Sequence, residues 1–175
     1  MQEFDGALAH WREFYTLLGT TAGTLVGLLF VAASLASGML SSDRRAPVRV
    51  FWSATVVQFG SILLAALLLL APIGNWMVLG MMVLALGSLG IAYYVFAVLD
   101  AKRDGLLASI DFQDRAWYAL LPVVTYLFEA ASGIMLAARW AAGCMLLALS
   151  LLALLVVGIH NAWDITVWAI TRRRD

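Results

Sequence analysis

The chain has 175 residues, 63% of them hydrophobic and only 13% charged. That charged share is about half the ~25% usual in soluble domains, which excludes an ordinary soluble domain and points to an integral membrane protein. Eleven basic and eleven acidic residues cancel, so no bulk attraction favours nucleic acid, and the short connections of mixed sign offer no RNA- or DNA-binding module.

The predicted elements begin with an amphipathic N-terminal segment over residues 4–15. Phe4, Leu8, Trp11 and Tyr15 fall at steps of four, three and four, on one helical face, which predicts a helix lying on the outer leaflet. A first apolar span follows at about 14–40, near the ~20 residues that cross a hydrocarbon core. Thr16, Gly19, Thr20, Gly23, Thr24, Gly27, Ser34 and Gly38 share one of its faces. Gly19, Gly23 and Gly27 repeat the GxxxG spacing, a groove that lets another helix approach closely where lipid supplies no hydrophobic drive. The groove fits a packing contact within one subunit, a seam between subunits, or the wall of a pore or cavity.

A second span covers about 50–71. Ser41, Ser42 and Asp43 offer caps before it, Pro47 suits its first turn, and Pro72 with Gly74 ends it. Thr55, Gln58, Ser61 and Ala65 form a stripe, in which the Gln58 amide needs several hydrogen-bond partners. The third span, 76–99, is suited to close packing by Gly80, Gly87, Ser88 and Gly90, with Tyr93 and Tyr94 toward its far end. The connection from Asp100 to Ala116 sets Ile110 and Phe112 among charges, the pattern of a short interfacial helix. Pro122 either kinks the fourth span, 117–138, or marks its start. The fifth, 143–170, is long enough to tilt or project past the interface.

These spans predict an all-α, polytopic membrane protein with five transmembrane helices in a single domain. They are not the ~10-residue alternating strands of a membrane barrel, and no internal repeat of an inverted transporter type is visible. Arg44, Arg45 and Arg49, then Lys102, Arg103 and Arg115, then Arg172, Arg173 and Arg174 fall on one side, against Arg12 and Arg139 on the other. The positive-inside rule makes the richer side cytoplasmic, with the N-terminus outside, which an odd number of crossings also requires. Trp11, Trp76 and Trp140 mark the outer boundary, and Trp52, Trp117, Trp163 and Trp168 the inner one. Glu3 and Asp5 stand where a signal peptide carries cations, so the first helix is expected to be its own membrane signal. With Cys144 alone, neither an internal disulfide nor a multi-Cys metal site is expected, and no cofactor or metal is called for.

Glu129 is the sharpest anomaly, a carboxylate near the centre of an apolar run. At mid-bilayer it costs at least ~2.5–3.5 kcal/mol on insertion scales, so it needs a partner or a task. Counting 1.5 Å per residue from the turn at Arg139–Trp140 places it ~17 Å deep, level with Thr24–Gly27, Ser61 and Ser88 on the neighbouring helices. Three readings stand. It is a neutral structural carboxyl bonded to Ser61, Thr24 or a carbonyl, or a residue facing a water-filled pore or cavity, or the coupling site of a transporter. His160 lies about 12 Å deeper by the same count and belongs with Asn161 and Asp164 in a separate cluster. His160 and Asp164 share a helix face at i,i+4, which suits a local anchor, a gate or a proton relay, or half of a metal site.

The stretch Phe14–Leu35, FYTLLGTTAGTLVGLLFVAASL, with Asn161-Ala162-Trp163-Asp164 near the end, resembles a family of small uncharacterised bacterial membrane proteins that begin with a similar FY…LG…GLLFVA.SL helix. The resemblance implies a bacterial inner-membrane location and brings no activity or catalytic residue. The signatures HExxH and GxSxG and paired membrane aspartates are absent, so no intramembrane enzyme is expected. The leading expectation is a homo-oligomeric pore or channel. The small face of the first helix forms part of its wall, and Glu129 gives a carboxylate ring or wall contact. The alternatives are a non-catalytic subunit that binds a partner membrane protein, and a small transporter or lipid-binding protein.

Overall fold

The computed structural model describes residues 2–37, 45–103 and 116–171. Within them the chain is all-helical: α1 (Gln2–Ser37), α2 (Arg45–Leu70), α3 (Trp76–Arg103), a single π turn (Ala116–Leu120), α4 (Leu121–Ala137) and α5 (Ala142–Thr171). Four stretches are long and apolar enough to cross a membrane: Ala9–Ser34, Trp76–Asp100, Ala116–Ala137 and Ala142–Asp164. In α2 the apolar stretch Ala54–Leu70 is shorter. These are the dimensions of a multi-pass membrane protein.

The outside of the bundle carries many large apolar side chains. Leu17, Phe30, Leu89, Phe96, Ile134 and Val156 are all exposed, as expected where the solvent is lipid. Association then depends on how closely backbones approach. The most extensive pairing, α3 with α4, is built on glycine. A Cβ on Gly80 would strike the backbone of Gly133 and Ala137, one on Gly133 the backbone of Gly80 and Leu84, and one on Gly87 would lie 2.6 Å from the Ala130 amide nitrogen. The GxxxG groove of α1 is used only in part. Gly19 packs against Ala66 of α2 (2.8 Å from a built Cβ), Gly23 meets Leu63 at 3.7 Å, and Gly27 has nothing within 4 Å.

No break separates residues 4–15 from the first span; both belong to α1. The run contains no proline, and the aromatic face expected on the leaflet is used for packing. Tyr15 is fully buried, Trp11 and Phe14 pack against the core, and the Trp11–Phe14 and Phe14–Tyr15 rings meet edge to face at 5.6 and 5.8 Å. α2 also begins earlier than expected, at Arg45, with Pro47 in its first turn. Its end at Leu70, followed by Pro72 and Gly74, is as read. Asn75 caps α3 by accepting from the amides of Met77 (3.0 Å) and Val78 (3.3 Å). Pro122 lies in the first turn of α4, directly after the π turn, where its missing N–H costs nothing. The α4–α5 turn closes through Arg139 at φ 61°, with Trp140 N–H donating to Met135 C=O. The interfacial helix expected around Ile110 and Phe112 lies outside the described residues, as do Ser41, Ser42, Asp43 and Arg172–Arg174.

The bundle has two distinct ends. One holds the α2–α3 and α4–α5 turns with Arg12, Trp76, Arg139 and Trp140. A pocket of ≈ 270 Å³ opens there between Arg12, Tyr15, Leu69–Pro72 and Trp76. Tyr15 ties α1 to α5 at this end by donating to the Cys144 carbonyl at 2.6 Å. The other end holds the start of α2, the close of α3 at Lys102 and Arg103, the π turn and the last turns of α5.

Candidate functional site

Helix periodicity turns Glu129 toward the interior. On α4, Tyr126, Ala130, Gly133 and Ala137 face α3, as their contacts with Gly80, Gly87 and Gly90 show, while Leu136 meets Gly143 of α5. At 100° per residue Glu129 falls between these two faces. It is 1% exposed, and neither carboxylate oxygen has a hydrogen-bond partner. Ser61 and Thr24, named as partners, do not reach it. The Ser61 hydroxyl accepts from Tyr126 at 3.0 Å, and Thr24 is exposed and donates to the Thr20 carbonyl on its own helix at 2.9 Å.

The register of the helices is read from their tight contacts. Gly87 meets Tyr126 and Ala130, Gly90 meets the Tyr126 ring, and Gly158 of α5 meets Phe59 and Gln58 of α2. At the far end Trp117 stacks on His160, with ring centroids 3.8 Å apart and planes at 6°. In this register the buried polar groups fall in a column that descends from Glu129 toward the Arg103 end. First comes Tyr126 with Ser61. Next are Tyr94, whose ring lies 5.8 Å from Tyr126, and Gln58, whose carboxamide oxygen would sit 3.1 Å from a Cβ on Gly158. Thr55 and Asn161 follow, and then His160, Asp164 and Tyr118.

Hydrogen bonding in the column is incomplete. Both ends of the Gln58 amide, the Tyr94 hydroxyl, Asn161 Oδ1 and both Glu129 oxygens are buried without partners. The Tyr94 hydroxyl lies beside the Gln58 carboxamide but closes no bond to it. In the last layer His160 Nδ1 is likewise buried without a hydrogen bond, although Asp164 stands within ion-pair distance. His160 Nδ1 lies 3.4 Å from Asp164 Oδ2, and the Tyr118 hydroxyl donates to the same oxygen at 3.4 Å. Unpaired polar atoms in a protein interior each cost ~1–3 kcal/mol, so a run of them is not explained by packing alone.

The residues singled out in the sequence therefore divide. Glu129, Gln58, Ser61 and Asn161 share the interior, with His160 and Asp164 at its end. His160 sits level with Trp117, about 18 Å along α4 from Glu129 at 1.5 Å per residue. Thr20, Thr24 and Ser88 are exposed on the periphery, each hydroxyl bonded to the carbonyl one turn back. The sequence does not single out Tyr126 or Tyr118, and it presents Trp117 only as a marker of the inner boundary. Tyr126 stands one turn before Glu129, and the depth count that sets His160 about 12 Å below Glu129 stops short of the Trp117 layer, at about 18 Å. No group of three or more potential metal-ligating side chains occurs among the described residues. No family model, curated protein or solved structure matches the chain.

Proposed function

We propose that the chain is a bacterial inner-membrane protein that crosses the bilayer with all five helices, N-terminus outside, and handles a small cation at Glu129. Orientation rests on charge. Arg12 and Arg139 stand at one end, and Arg45, Arg49, Lys102 and Arg103 at the other. The cation site rests on one observation, a mid-span carboxylate that is 1% exposed, has no partner, and heads a column of buried polar groups. In lipid such a group is retained for a task.

This is a channel or carrier whose route runs through each subunit. The carboxylate faces its own bundle's interior, so assembly into a homo-oligomer does not set it in a ring around a shared axis. The test is cation flux in proteoliposomes and planar bilayers, with Glu129→Gln beside the wild type. The variant is expected to lose conductance at least tenfold or to change selectivity. An absence of wild-type conductance at every voltage, tension and pH tried counts against the reading.

A second reading, a subunit that binds a copy of itself or a partner membrane protein, is favoured by α1. Its Thr16, Thr20, Thr24 and Gly27 face is exposed, and Gly27 has open space before it. That reading expects Gly27→Leu to dissociate the complex in native mass spectrometry while leaving the subunit folded.

A further inference from the structure

We infer that the cation handled at Glu129 is the proton, and that in this conformation it reaches the carboxyl only from the Arg103 end of the bundle. This rests on the cation reading above and adds the identity of the ion and its direction of access.

The donor set argues against a metal ion. Hard cations are held in membranes by several oxygens, commonly by carbonyls of broken helices beside a carboxylate. Here α3, α4 and α5 run unbroken past the level of Glu129. The Glu129 carbonyl already accepts from the Ser132 hydroxyl at 2.6 Å, and Ser150, level with it on α5, donates to the Leu147 carbonyl at 2.9 Å. One carboxylate without a second anion suits a proton. The titratable groups on the surrounding elements are few: Tyr126 on α4, Tyr94 and half-buried Tyr93 on α3, Tyr118 in the π turn, and Cys144, His160 and Asp164 on α5. Among its described side chains α2 brings none, and Tyr15 of α1 is engaged with Cys144.

The column supplies the route. Gln58, Tyr94 and Asn161 offer unpaired donors and acceptors between Glu129 and the His160 layer. Groups of that kind hold buried water, each water taking two to four polar partners. A proton then moves by exchange along water. At each step one O–H bond forms as another breaks. At the last, a carboxyl O–H forms on Glu129 as the neighbouring water gives up its extra proton. No other reactant is needed. Toward the Arg139 end the interior changes character. Leu79, Leu136 and Leu147 are buried there, and the buried hydroxyls are already engaged, Ser132 with the Glu129 carbonyl and Tyr15 with the Cys144 carbonyl. The unpartnered polar groups below Glu129 thus lie on the Arg103 side and the satisfied ones on the other, and discharge to that other side requires the leucine layer to part.

The test is flux in proteoliposomes carrying a pH-sensitive dye, under an imposed potential, with sodium and potassium flux measured in the same preparation. The expected result is wild-type proton flux, at least tenfold lower in Glu129→Gln, with sodium and potassium at the level of empty vesicles. Sodium or potassium flux that depends on Glu129 keeps the cation reading and overturns the proton. The absence of any Glu129-dependent flux overturns both. Direction is tested without altering Glu129, in a Cys144→Ala background. Asn161→Cys should react with a water-soluble thiol reagent added from the Arg103 side, while Leu147→Cys stays inert from either side. Labelling of Leu147→Cys from the Arg139 side, with Asn161→Cys inert, overturns the direction of access.

Discussion

At the scale of single residues, the interior of this bundle trades stability for polar groups. Glu129 has two buried oxygens and no partner, so Glu129→Leu should stabilise the fold by about 1–3 kcal/mol while removing activity. Denaturation in detergent, followed by helical circular dichroism, checks the first part. Tyr126→Phe should act in the opposite direction. It removes the bond to Ser61 and leaves that hydroxyl without its donor, a loss of about 1 kcal/mol. Glu129 was legible in the sequence because a carboxylate in an apolar run has no bland explanation. Tyr94 and Tyr126 were less so, because a tyrosine in a membrane helix usually reads as an interface residue; only the fold shows that they face inward. Thr20 and Thr24 misled in the other direction. A threonine in lipid satisfies its hydroxyl on its own helix and needs no neighbour.

At the scale of elements, the tightest seam is the glycine contact between α3 and α4. Gly133→Leu should abolish folding, because the new side chain would displace the backbone of Gly80 and Leu84. The check is monodispersity in gel filtration, with Gly27→Leu as the tolerated control. The capping bonds of Asn75 should be worth about 1 kcal/mol, read as a lower unfolding midpoint for Asn75→Ala. Helix positions were largely legible, since apolar run length and the stops at Pro72 and Gly74 do not depend on tertiary contacts. Ranking the glycine seams was not. The GxxxG spacing of α1 is visible along the chain, whereas the seam that closes hardest pairs Gly80 with Gly133 and Gly87 with Ala130, far apart in sequence. The single helix over residues 2–37 was also missed, because an amphipathic aromatic face reads the same whether lipid or protein covers it.

At the scale of the whole molecule, the proposed orientation can be tested with single cysteines, since native Cys144 is buried. Gly6→Cys should label from outside intact cells, and Lys102→Cys only after the membrane is opened; the reverse pattern would invert the topology. One bond already described also constrains how the molecule is made. Tyr15 donates to a carbonyl 129 residues further along the chain. At ~5–20 residues per second, synthesis reaches that carbonyl roughly 6–26 s after Tyr15 itself. During that interval α1 can pair with α2, but its seat against α5 does not yet exist. The first helix to enter the membrane is thus among the last to be locked in place, and a nascent chain arrested before Cys144 should expose Tyr15 and Trp11 to the insertion machinery or to lipid.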